Sequence, residues 1–138
     1  MTKAILGLGE ETKADDGVGK YIIDELRKKK SKHLLVYSAV PENAFTKLRG
    51  KGIKSITIID AADFAGKPGQ IKIMSEFREK TQLSTHSTSL TKLVKYINQS
   101  IGIKHVTIVL IQAKSLEFGE EMSPEVKQAG DMVIDLLS

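Results

Sequence analysis

The run "SITIIDA", residues 55–61, is the strongest strand signal in the chain. It is dense in β-branched residues and apolar for most of its length. Its last polar residue, Asp60, ends the apolar run, where a carboxylate turned toward a core would be costly. Asp60 is therefore expected to point to the rim of the sheet.

Working outward, similar runs recur on both sides. "AILGLG" (residues 4–9) and "HLLVYSA" (33–39) precede it, and "QIKIM" (70–74) and "HVTIVLIQ" (105–112) follow. "QIKIM" alternates and follows the turn "GKPG", so it reads as a more exposed strand. Helix-period segments lie between the runs. From Gly17 onward Val18, Tyr21, Ile22 and Leu26 share one helical face. "PENAFTKLRGKG" opens with Pro41 at a first helical position and stops at Gly50 and Gly52. Leu90, Leu93, Val94 and Ile97 form another stripe, and the last helix carries Ser123 as N-cap and Pro124 at N1. This alternation predicts a single α/β domain spanning residues 1–138. Its sheet should be twisted and mostly parallel, of about five strands, with helices on both faces.

Composition agrees. The 138 residues are 41% hydrophobic and 28% charged. The net charge of +4 is concentrated in "RKKKSK", residues 27–32, which reads as a solvated helix end rather than a nucleic-acid surface. There is no Cys, which removes thiolate nucleophiles, disulfides and zinc ribbons. The N-terminal stretch lacks a signal-peptide core and no apolar run approaches membrane-spanning length, so a cytoplasmic location without membrane insertion is expected.

In parallel sheets ligands gather beyond the carboxyl ends of the strands. Asp15 and Asp16 follow the first strand, and Asp60 and Asp63 lie at the end of the third. His86 falls in the loop "LSTHSTS", and Gln112 ends the last strand. Asp15 or Asp16 serves as a helix N-cap, but one cap suffices and the second carboxylate is left over. Asp63 fits an Asx turn better than chemistry. A His among hydroxyl residues is often structural. Taken together, Asp16, Asp60 and His86 make an O,O,N set with positions open for water or substrate, which suits a borderline divalent metal. Other chemistries fit less well. "GLGEET" lacks the third glycine of a dinucleotide loop, and Glu10 and Glu11 would repel a pyrophosphate. There is no GxSxG elbow and no P-loop.

The stretches "GLGEETKADDGVG", "SAVPENAF", "IIDAADFAGKPGQIKI", "STHSTSL" and "IQAKSLEFGEEMSPEV" occur in this order through most of the chain. Together they resemble the nickel–iron hydrogenase maturation proteases, and "PEN" with "FGEEMSPEV" is similar to the branch serving the hydrogenase-3 type. The resemblance implies a cytoplasmic endopeptidase. It would remove a C-terminal extension from a hydrogenase large-subunit precursor after nickel insertion. The nickel would be carried by the precursor, with no tightly bound cofactor in the protease. It also implies that Asp16, Asp60 and His86 are the metal-contacting and catalytic residues, leaving Asp15 to start the helix and brace the turn. Two positions depart from the family pattern. Glu10 stands where Asn is common, and "LIQAK" keeps Gln112 but lacks the usual Gly and Pro. An alternative role is a non-catalytic nickel-sensing or docking module in hydrogenase assembly. A phosphate- or nucleotide-binding α/β domain is a third.

Overall fold

The apolar runs become the strands of one five-stranded sheet in the computed structural model, which describes residues 2–75 and 87–138. The strands are β1 (Lys3–Leu8), β2 (Leu34–Ser38), β3 (Ser55–Ala62), β4 (Ile71–Met74) and β5 (His105–Gln112). Their order across the sheet is β2-β1-β3-β5-β4. The first four in that order run parallel, and β4 pairs antiparallel with β5 at the edge, in register Ile71 with Ile111. The edge position explains why "QIKIM" reads as a more exposed strand: among the described residues it pairs with β5 alone, and Lys72 and Ile73 are exposed.

The helices are α1 (Val18–Lys28), α2 (Phe45–Leu48), α3 (Ser87–Tyr96) and α4 (Pro124–Leu137). They cover the two faces separately. Ala4, Leu6 and Leu8 of β1, Ile56 and Ile58 of β3, and Ile108 and Leu110 of β5 pack with Leu48, Leu90 and Leu93 of α2 and α3. Ile5, Ile59, Val109 and Ile111 point the other way, onto Val18, Ile22, Ile23 and Leu26 of α1 and Val126, Ala129 and Val133 of α4. The period-two alternation of each central strand thus feeds two cores.

Glycine sets the contact between β1 and α1. A Cβ on Gly7 would lie 2.5 Å from the Gly19 carbonyl oxygen, and one on Gly19 would lie 2.3 Å from that of Leu8. Any side chain at either position would push the helix off the strand.

Three local expectations change. The helix foreseen from Pro41 is a 3₁₀ turn, Pro41–Ala44, followed by the single turn of α2, though Gly50 and Gly52 do stop it with positive φ. The helix foreseen from the stripe Leu90, Leu93, Val94 and Ile97 leaves the α form after Tyr96 and closes as a π-helical turn, Ile97–Ile101, ended by Gly102 in the left-handed region. Ser123 does precede Pro124 at the start of α4, but its hydroxyl makes no capping bond, because it is engaged elsewhere.

Candidate active site

Beyond the carboxyl end of β1 the chain turns back on itself. Gly9, at φ +121°, brings the backbone so near the 3₁₀ turn Ala14–Gly17 that a Cβ there would lie 2.0 Å from the Asp16 carbonyl oxygen. The tight turn places the Glu10 N–H against Asp16, donating to its Oδ2 at 2.7 Å. Tyr37 of β2 holds the same turn, its hydroxyl donating to the Gly9 carbonyl at 2.7 Å. Asp16 is buried, and its other oxygen, Oδ1, is shielded from solvent with no hydrogen-bond partner. Such an orphan acceptor is costly and needs a donor or a cation.

Asp60 lies opposite. It shares the parity of Ile56 and Ile58 in β3 and so faces the α2–α3 side. The expectation that it ends the strand and points to an open rim is corrected here. Asp60 sits inside β3, two residues before its end, and is 5% exposed. Burial, reinforced by the charge of Asp16 and opposed by the Ala61 backbone amide, pushes its carboxyl up to about 8. The high strand propensity of "SITIIDAA" carries this carboxyl into the interior, and a pocket makes room for it. Leu8, Gly9, Asp16, Ala39, Pro41, Asp60 and Leu90 enclose a cavity of about 90 Å³. Asp16 and Asp60 thus line one small pocket, one with a bare oxygen and one biased toward its protonated form. That arrangement can bind a cation, hold a proton, or present a carboxylate to a water molecule.

The third expected member, His86, lies outside the described residues. Among the described residues no group of three His, Cys, Asp or Glu side chains is placed to hold a metal ion. The two carboxylates are the part of the O,O,N set that the fold brings together.

A family described as hydrogenase maturation protease matches residues 21–138. This chain belongs to the hydrogenase maturation protease family. Asp60 falls within the matched residues and Asp16 just precedes them. A Methanocaldococcus jannaschii protein bearing the name of a hydrogenase maturation protease is 31% identical, over 96% of this chain and 84% of its own length. The hydrogenase 3 maturation protease of Escherichia coli is 26% identical over 99% and 89% respectively. The solution structure of an Escherichia coli endopeptidase superposes with a TM-score of 0.85 at 24% identity, covering 99% of this chain and 89% of that one. A nickel–iron hydrogenase maturation protease from Thermococcus kodakarensis gives 0.83 at 23%, covering 97% and 88%. These two likenesses are of fold. As a member of the hydrogenase maturation protease family the chain is an endopeptidase.

Asp15 has a different task from the one expected. It caps no helix. Its fully buried carboxylate accepts from the backbone N–H groups of Lys114 (2.7 Å), Ser115 (3.0 Å) and Ser123 (2.6 Å), and from the Ser123 hydroxyl. It is the anchor of the segment between β5 and α4. Gln112 is a second anchor. Its Oε1 accepts from Phe64 and Gly66 N–H while its Nε2 donates to Asp63 Oδ1 and the Ala113 carbonyl, clamping the turn after β3. Asp63 makes the expected Asx turn, accepting from Ala65 N–H at 3.0 Å. No described helix is long and apolar enough to cross a membrane.

Proposed function

We propose that this endopeptidase removes the C-terminal extension of a nickel–iron hydrogenase large-subunit precursor after nickel has been inserted. In this reading Asp16, Asp60 and His86 face the metal that the precursor carries. The observation that supports it most is the bare Asp16 Oδ1 beside Asp60 in a chamber too small for more than a reacting group and a few waters. A cation presented by the substrate would satisfy Asp16 and draw the proton from Asp60. A divalent metal can polarise a scissile carbonyl or acidify a bound water. Asp16 and Asp60 would then orient that water or take up its proton. The site reads the metal weakly by itself, since two carboxylates and an imidazole without thiolates hold nickel only modestly. The protease itself then needs no resident cofactor. A cytoplasmic setting fits the reading.

The test compares processing of nickel-loaded precursor by Asp60→Asn, Asp63→Asn and His86→Ala. Asp60→Asn and His86→Ala are expected to lose about a hundredfold or more in cleavage rate, and Asp63→Asn to stay within about threefold. Equal losses at Asp60 and Asp63 would place the chemistry elsewhere. A His86→Ala protein that melts early yet still cleaves would make His86 structural.

A further inference from the structure

The Gly9–Glu10 peptide is gripped by both of its polar atoms. Its carbonyl accepts from the Tyr37 hydroxyl at 2.7 Å, and its N–H donates to Asp16 Oδ2 at 2.7 Å. A trans peptide is planar and its C=O and N–H point in opposite directions, so the two partners hold one rigid unit from opposite sides. Parallel pairing of β2 with β1 sets Tyr37 opposite Gly7, two residues short of Gly9, and the length of a phenol spans that offset. The ring packs against the core under α1, with the Lys20 ammonium 5.9 Å from its centroid. Burial, followed by the charges of Glu10 and Glu11, pushes the Tyr37 hydroxyl above the usual tyrosine range, so at neutral pH it is a protonated donor.

This peptide plane needs a lock. Gly9 stands at φ +121°, where glycine moves freely because no Cβ restrains it. A half-turn of the plane would carry the Glu10 N–H away from Asp16 and swing the Gly9 carbonyl toward the carboxylate. Asp16 would lose the bond that engages Oδ2 and leaves Oδ1 as the oxygen without a partner. Gly9 and Asp16 both line the pocket, so the disturbance would fall on the reacting site itself. We propose that Tyr37 is a positioning residue for the cleavage reaction, its hydroxyl locking the Gly9–Glu10 peptide in the orientation that sets the Asp16 carboxylate. The role rests on the proposed function. Donation into the Gly9 carbonyl also polarises the amide and strengthens the bond that its N–H makes to Asp16. A carboxylate fixed in this way matters more to the reacting geometry than to the binding of a large polypeptide, so the effect belongs in kcat rather than KM.

The test compares wild type, Tyr37→Phe, Tyr37→3-fluorotyrosine and Tyr21→Phe, at a temperature where all are folded. Tyr21 is the control, a phenol of the same core whose hydroxyl donates to Asp131 away from the pocket. Two quantities are read: kcat and KM for nickel-loaded precursor, and the amide-proton resonance and exchange rate of Glu10 in the protease alone. Tyr37→Phe is expected to lower kcat about tenfold with KM within about twofold, to move the Glu10 amide proton upfield and to speed its exchange about tenfold. The fluorinated tyrosine keeps the donor and should stay within about twofold of wild type in both, as should Tyr21→Phe. An unchanged kcat in Tyr37→Phe, even with a lowered melting temperature, would make the hydroxyl merely structural and overturn the proposal. A fall in kcat with the Glu10 amide unmoved would overturn the route through the peptide. Wild-type protein that leaves the precursor uncleaved would sink the proposed reaction, while the Glu10 amide would still decide whether Tyr37 sets Asp16.

Discussion

Asp60 stores a proton that the unfolded chain would release. Its carboxyl titrates near 8 in the fold against 3.8 ordinarily, so between those values the folded state binds more protons than the unfolded one. Stability contributed by the protonated form is complete below about pH 4 and is lost as pH rises through 8, on the order of 1 kcal/mol per pH unit across the window. Asp60→Asn removes that dependence. The variant should melt at least about 5 °C above wild type at pH 8, with the two converging toward pH 4, while its processing activity is lost. Parallel melting profiles for the two proteins across this range would show that Asp60 is ionised in the fold throughout.

At the scale of elements, the strands and their faces were legible in the sequence because they depend on local apolar patterning. "SITIIDA", "AILGLG" and "HVTIVLIQ" each became a central strand. The helix breaks were less legible: Pro41 marked a start, but 3₁₀ geometry there and the π turn after Tyr96 are decided by packing. The Asp15 anchor was not legible at all, since its partners lie 99 to 108 residues away and nothing in "ADDG" points to them. Half of the site was similarly hidden. Asp16 and Asp60 could be picked out as rim carboxylates, but the burial of Asp60 follows from its parity within β3, which only strand register fixes. The anchor makes its own prediction. Asp15→Ala leaves three backbone N–H groups without their acceptor and should destabilise the fold by about 2–4 kcal/mol, read from the urea midpoint at constant slope. Amide exchange at Lys114, Ser115 and Ser123 should accelerate; protection unchanged at all three would contradict the anchor. Gly7→Ala, driven 2.5 Å from the Gly19 carbonyl, should cost about 3 kcal/mol or more in the same measurement. A variant of wild-type stability would mean that β1 and α1 can separate freely.

For the whole molecule, the sheet order places β3, which carries Asp60, at its centre beside β1, whose following 3₁₀ turn carries Asp16, with β2 and β5 flanking the pair. In the proposed reading the chemistry takes place in the small pocket that Asp16 and Asp60 share. A protease built this way has no need to hold its own metal if the substrate delivers one. The most direct measurement strips the protein with a chelator, removes the chelator, and adds nickel-loaded and nickel-free precursor separately. The account predicts rapid cleavage of the loaded form by metal-free protease and little cleavage of the empty form. Rapid cleavage of the nickel-free precursor, or activity that returns only when the protease itself is reloaded with metal, would contradict it.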